Sequence, residues 1–177
     1  AEDGSTQAHS QILAARSPVF AAAFSSPMRE SQTKEISIED FSVAVVEAFL
    51  QFLYTGGVND EALANDDFTL ELLKLSHLYD VCTLVNKCTL ALRTRFTVEY
   101  VCDRLESANL LGLHALKTEC LDYMAHHILE VQDTESYSAL VKRNPALLVD
   151  VVAVLSGQSL SPLANSSQSG TSSFHVQ

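Results

Sequence analysis

Apolar positions along this chain recur at helical spacing over most of its length, with short interruptions near the start. Ser5 to Ala8 reads as a short strand ahead of a helical segment from about Gln11 to Ala15. Arg16-Ser17-Pro18 ends that segment, because the residue before a proline is pushed out of the α region. Val19, Phe20, Ala23 and Phe24 set a second short helix, closed by Pro27. In TKEISIED, Ile36 and Ile38 alternate with polar neighbours, the pattern of a half-buried strand. Val46, Phe49, Leu50 and Leu53 then form an i, i+3, i+4, i+7 stripe that Gly56-Gly57 stops.

The rest of the ordered pattern is helical. Asp66 and Asp67 stand where carboxylates favour a helix N-terminus, ahead of Phe68, Leu72, Leu75 and Tyr79. Val81, Leu84, Val85, Cys88 and Leu92 continue to Arg93 and Arg95, basic residues suited to a C-terminus. Thr97 opens a helix carrying Val98, Val101, Cys102, Leu105 and Ala108, and a turn near Gly112 leads to Leu116, Cys120, Leu121, Met124 and Ile128. Two further segments run from about Thr134 to Val141 and from Pro145 to Leu155, with Pro145 in a first-turn position where its missing N–H costs nothing. After Gly157 the Ser-rich SLSPLANSSQSGTSSFHVQ lacks the apolar mass for a core and is expected to be disordered. The fold class is α+β, mostly α.

Composition narrows the function. Of 177 residues 47% are hydrophobic, enough for one substantial core or two small packed units. The formal net charge is −11, and no Lys or Arg lies between Lys34 and Lys74. That window holds Glu35, Glu39, Asp40, Glu47, Asp60, Glu61, Asp66, Asp67 and Glu71, so a nucleic-acid partner is not expected. A basic protein partner and a merely solvated acidic face both fit. Cys82, Cys88, Cys102 and Cys120 form no CxxC pair and fall on apolar-periodic helix positions. With no signal peptide and no apolar run of membrane-spanning length, they read as reduced thiols of a cytoplasmic or nuclear protein. The chain opens on AEDGSTQ without Met, and an upstream portion is expected.

Catalytic chemistry finds no footing. His126 and His127 are adjacent and point to different helix faces, and His114 and Cys120 are a poor chelating match. No G-x-S-x-G, H-E-x-x-H or Gly-rich phosphate loop is present. Neither an enzyme nor a metal or cofactor site is expected.

Three pieces, in order, resemble the BTB/POZ domain: HSQILAARSPVF from His9 to Phe20, ISIED from Ile36 to Asp40, and FLQFLYTG from Phe49 to Gly56. Leu72 to Leu92 is similar to the family's next helical pair, and Thr97 to Val131 resembles the BACK or 3-box helical extension of the speckle-type POZ branch. The resemblance divides the chain into a BTB/POZ domain at 1–95, an extension at 96–156 and a tail at 157–177. Where the family opens with an S-D-V strand, this chain has AEDGSTQA, so the strand and part of the first helix that commonly build the homodimer face are cut or altered. Where the family often has His-Lys, this chain has His9-Ser10.

The resemblance implies a protein-interaction adaptor that recruits substrates to a cullin-3 ubiquitin ligase, with ubiquitin transfer done by other subunits. Substrates would bind through a module outside this chain, and the BTB domain would make a homo-oligomer. Adaptors of this family carry an apolar-x-Glu motif that Met28-Arg29-Glu30 matches here. An exposed Met28 suits an apolar groove on the cullin-3 N-terminal region, and Glu30 its polar rim; the alternative tucks Met28 back onto the domain. The branch also touches the cullin with the helix carrying His77, Leu78, Tyr79 and Asp80. Tyr79 fits an interface residue, yet it equally continues the Leu72 and Leu75 core stripe. An aromatic that the branch can place on its last helix is lacking, since that position falls near Val152. The competing class is a self-associating scaffold or transcriptional regulator that never meets a cullin.

Overall fold

The structure is a computed structural model that describes residues 6–25, 36–38 and 40–157. Within them lie α1 (Ser10–Arg16), α2 (Pro18–Ser25), α3 (Val43–Thr55), α4 (Asp66–Leu78), α5 (Cys82–Arg93), α6 (Val101–Leu110), α7 (His114–His126), α8 (Ile128–Val131), α9 (Glu135–Arg143) and α10 (Ala146–Leu155). A 3-10 turn at Ala62–Ala64 leads into α4.

Local chemistry sets most of these limits. Ser17 leaves α1 in an extended conformation, as a residue before proline must, and Pro18 supplies the first turn of α2. Gly56 ends α3 at φ 73°, a left-handed turn that L side chains resist, and its N–H donates to the Phe52 carbonyl. The Asn65 side chain accepts from the Phe68 N–H at 2.9 Å to cap α4, whose first turn holds Asp66 and Asp67. Thr134 does the same for α9 by accepting from the Tyr137 N–H.

The buried residues form one core cluster that runs from Leu13 to Val151. In its N-terminal half, α3 packs on α1 and α4, and α4 lies against α5. In the C-terminal half α7 packs on α6 and α10, and α9 covers α6. Contacts of α4 with α6 and of α5 with α7 join the halves.

The helical expectation is met and the strand expectation is not: among the described residues there is no β-strand. Ile36 and Ile38 are half-buried against the core with Ser37 exposed between them, so the alternation correctly reports side-chain direction. A strand also needs a ladder, and no backbone hydrogen bond joins Ile36 or Ile38 to another described residue. Thr6 to Ala8 is exposed and irregular. Two helix limits also move. α6 starts at Val101 rather than Thr97, after a turn at 98–100. Ile128 belongs to the separate α8, because His127 leaves helical geometry at φ −118°, ψ 24°.

Candidate functional site

Met28 and Glu30 lie outside the described residues. The third expected interface residue, Tyr79, is buried at 8% exposure as the C-cap of α4. Its ring stacks on Phe20 of α2 at 4.3 Å between centroids and tilts against Phe49 of α3 at 5.6 Å. Burial raises its phenol above the ordinary value. Ser17 ties the same point from the backbone side. Its hydroxyl donates to the Tyr79 carbonyl at 2.5 Å and accepts from the Phe20 N–H at 3.2 Å, holding α2 to the end of α4. This triangle of aromatics joins α2, α3 and the end of α4.

The neighbours of Tyr79 face outward. His77, Leu78 and Asp80 are all exposed, and Leu78 is 58% exposed despite its apolar side chain. Asp80 holds a left-handed φ of 51° that turns the chain sharply from α4 into α5. Its carboxylate accepts from the Cys82 thiol at 3.3 Å, and that hydrogen bond raises the thiol above its ordinary value. The result is a ledge of one exposed leucine between a histidine and an aspartate, rigidly backed by the buried Tyr79. Sequence reading named Leu78 on this helix but singled out Tyr79 as the interface residue. The signal for Leu78 was available, since it falls beside, not on, the Leu72–Leu75–Tyr79 stripe.

A groove of about 260 Å³, lined by both polar and apolar surface, opens between α1, α2 and α3, over Ile36 and Ile38. Leu13, Phe24, Phe41, Val46 and Leu50 are among its lining residues, and among the described residues Glu47 is the charged one. Such a groove can hold apolar side chains. Among the described residues no group of three His, Cys, Asp or Glu side chains converges on a metal-sized space. His126 Nδ1 instead meets the Asp122 carbonyl, and His127 stacks on Tyr123. No described helix is long and apolar enough to cross a membrane. Three thiols are buried: desolvation pushes Cys88 and Cys120 up to about 12 and Cys102 up to about 11, while Cys82 is exposed.

The described residues thus combine a helical core with an outward ledge and an open groove. The family model of the BTB/POZ domain matches residues 1–96, and the chain belongs to that family. It is 35% identical over 135 residues to a BTB/POZ domain-containing protein of Arabidopsis thaliana, covering 75% of this chain and 40% of the relative. TD and POZ domain-containing proteins 3 and 4 of Mus musculus are 32% and 33% identical over 144 residues each. Those matches cover 81% of this chain and 39% and 38% of the two relatives. The chain thus spans about 40% of the length of the curated relatives it matches. The BTB/POZ domain is a protein-interaction module that mediates association between proteins.

Proposed function

We propose that this chain is the adaptor part of a cullin-3 ubiquitin ligase, linking the cullin N-terminal region to substrates held by a module outside residues 1–177. The observation that carries the reading is the exposed ledge His77–Leu78–Asp80, backed by the buried Tyr79 that stacks on Phe20 of α2. In this reading Met28 and Glu30 supply the apolar anchor and its polar rim, and Leu78 adds a second apolar contact. Tyr79 acts from behind, as the support that keeps Leu78 and Asp80 presented. The helices beyond residue 96 serve as the BACK or 3-box-like extension. Val152 stands 61% exposed on α10, where an aromatic would add contact area, so the extension contributes little to cullin affinity. The complex would work in the cytosol or nucleus, where the four thiols stay reduced.

The second reading, a self-associating scaffold that does not bind a cullin, is favoured by the groove on the α1 face, where Leu13, Phe24 and Leu50 offer apolar contacts. Calorimetric titration with the cullin-3 N-terminal domain separates the two. Sub-micromolar binding that weakens by about 1–3 kcal/mol in Met28→Ala, Glu30→Ala or Leu78→Ala supports the adaptor. No detectable binding by a folded wild-type chain transfers the assignment to the scaffold.

A further inference from the structure

The two halves meet at a fully buried arginine. Arg104, on α6, is 0% exposed. Its Nη2 donates to Asp66 Oδ2, at the start of α4, at 2.6 Å, and its Nη1 donates to the Leu92 carbonyl near the end of α5 at 2.8 Å. The guanidinium lies over the Phe96 ring at 5.4 Å. One side chain of the C-terminal half therefore grips two helices of the N-terminal half and the segment between. Arg95 reinforces the same corner by donating to the carbonyls of Leu63 and Ala64.

This joint is not built for maximum stability. Arg104 Nε and Asp66 Oδ1 are both buried and have no hydrogen-bond partner among the described residues. A buried ion pair with unsatisfied atoms recovers only part of its desolvation cost, and apolar residues of similar volume commonly do as well or better. What apolar residues lack is direction. They allow two helix pairs to slide, whereas a planar fork that must reach a carboxylate and a carbonyl at once admits one arrangement.

We infer that Arg104 is a positioning residue: its grip on Asp66 and the Leu92 carbonyl sets a single orientation between the BTB half and the C-terminal helices. A partner that touches both halves then meets one preformed surface and orders nothing on binding. The inference does not depend on the partner's being a cullin.

The test uses the protein's own chemistry. Cys82 is exposed while Cys88, Cys102 and Cys120 are buried, so a spin label goes selectively to Cys82 in the N-terminal half. Val149→Cys, at an exposed position on α10, carries the second label. Wild-type contacts should give one narrow distance distribution between them. The pair replacement Arg104→Met with Asp66→Leu should keep or raise the denaturation midpoint while the distribution broadens or splits. Arg104→Lys keeps the charge but cannot span both acceptors; it should fold and also broaden, and it decides the matter if the pair replacement does not fold. A folded Arg104→Lys or pair variant whose distribution matches the wild type in mean and width overturns the inference. A broad distribution with Arg104 intact does the same.

Discussion

Two joints hold this molecule's working parts in place, and they are built from opposite materials. Beneath the ledge, Phe20, Phe49 and Tyr79 join α2, α3 and α4 through ring contacts, with the Ser17 hydroxyl tying the backbones of Phe20 and Tyr79. Between the halves, Arg104 and Asp66 do the joining through charge. The aromatic joint gains from apolar area and tolerates adjustment, because ring stacking has a broad optimum. The charged joint gains little net energy and tolerates none. One joint stabilises and the other specifies.

The comparison breaks most visibly if one partner of the charged joint is removed alone. Arg104→Met leaves the Asp66 carboxylate buried without its cation and should cost about 4 kcal/mol, read as a fall in the chemical-denaturation midpoint. Tyr79→Ala comes next. It opens a cavity against Phe20 and Phe49 and should cost about 3 kcal/mol by the same measurement. Tyr79→Phe keeps the ring, and its hydroxyl makes no hydrogen bond to a described residue, so it should stay within about 1 kcal/mol of wild type. A large loss in Tyr79→Phe would show that the aromatic joint, too, depends on a polar contact.

These joints also mark where the sequence was and was not legible. Helices with a local signature could be read directly. Ser17-Pro18, Gly56, Asp66-Asp67 and the Val81–Leu92 stripe place their boundaries to within a residue or two. The motif run from His9 to Phe20 pointed to the family that the comparisons show. The ladder expected at Ile36 and Ile38 was not legible, because alternation fixes which side chains face inward and says nothing about a neighbouring backbone. Arg104 escaped notice for a related reason. A lone arginine in a helical stretch reads as solvated, and only the fold brings Asp66, 38 positions earlier, to within hydrogen-bond reach. Tyr79 was readable both as an interface residue and as core, since periodicity alone cannot separate the last buried position of a stripe from the first exposed one.

Alkaline pH tests the packing of the buried thiols, of which Cys120 lies near Arg104. Cys88 and Cys120 are pushed up to about 12 and Cys102 up to about 11, in each case chiefly by burial, from an ordinary 9.0. A raised acid stays protonated in the folded chain while the unfolded chain ionises. Its contribution is complete below pH 9 and is lost as pH climbs toward 11–12. The denaturation midpoint should therefore fall steadily above pH 9, and Cys88→Ala with Cys120→Ala should flatten that slope. At pH 8 a thiol reagent should modify Cys82 alone in the native protein and all four cysteines after denaturation. Smaller again is the loss of a helix cap. Thr134→Ala should cost about 1 kcal/mol, because α9 loses its acceptor for the Tyr137 N–H without any change at either joint.

The smallest expected effect sharpens the comparison most. Arg93 on α5 makes a bidentate contact with Glu119 on α7, so it too links the halves with charge. Its side chain is 42% exposed, however, and Glu119 is 34% exposed. Water and salt screen such a pair and compete for each partner, so holding it together gains almost nothing over leaving both solvated. Arg93→Ala should leave the denaturation midpoint nearly unchanged, and whatever small loss appears should vanish at high salt. The Arg104→Met loss should largely persist at the same ionic strength, since the Asp66 side chain is only 10% exposed and is screened far less than Glu119. If the two substitutions instead cost the same and screened alike, burial would not be what gives Arg104 its role, and any cation at this boundary would serve.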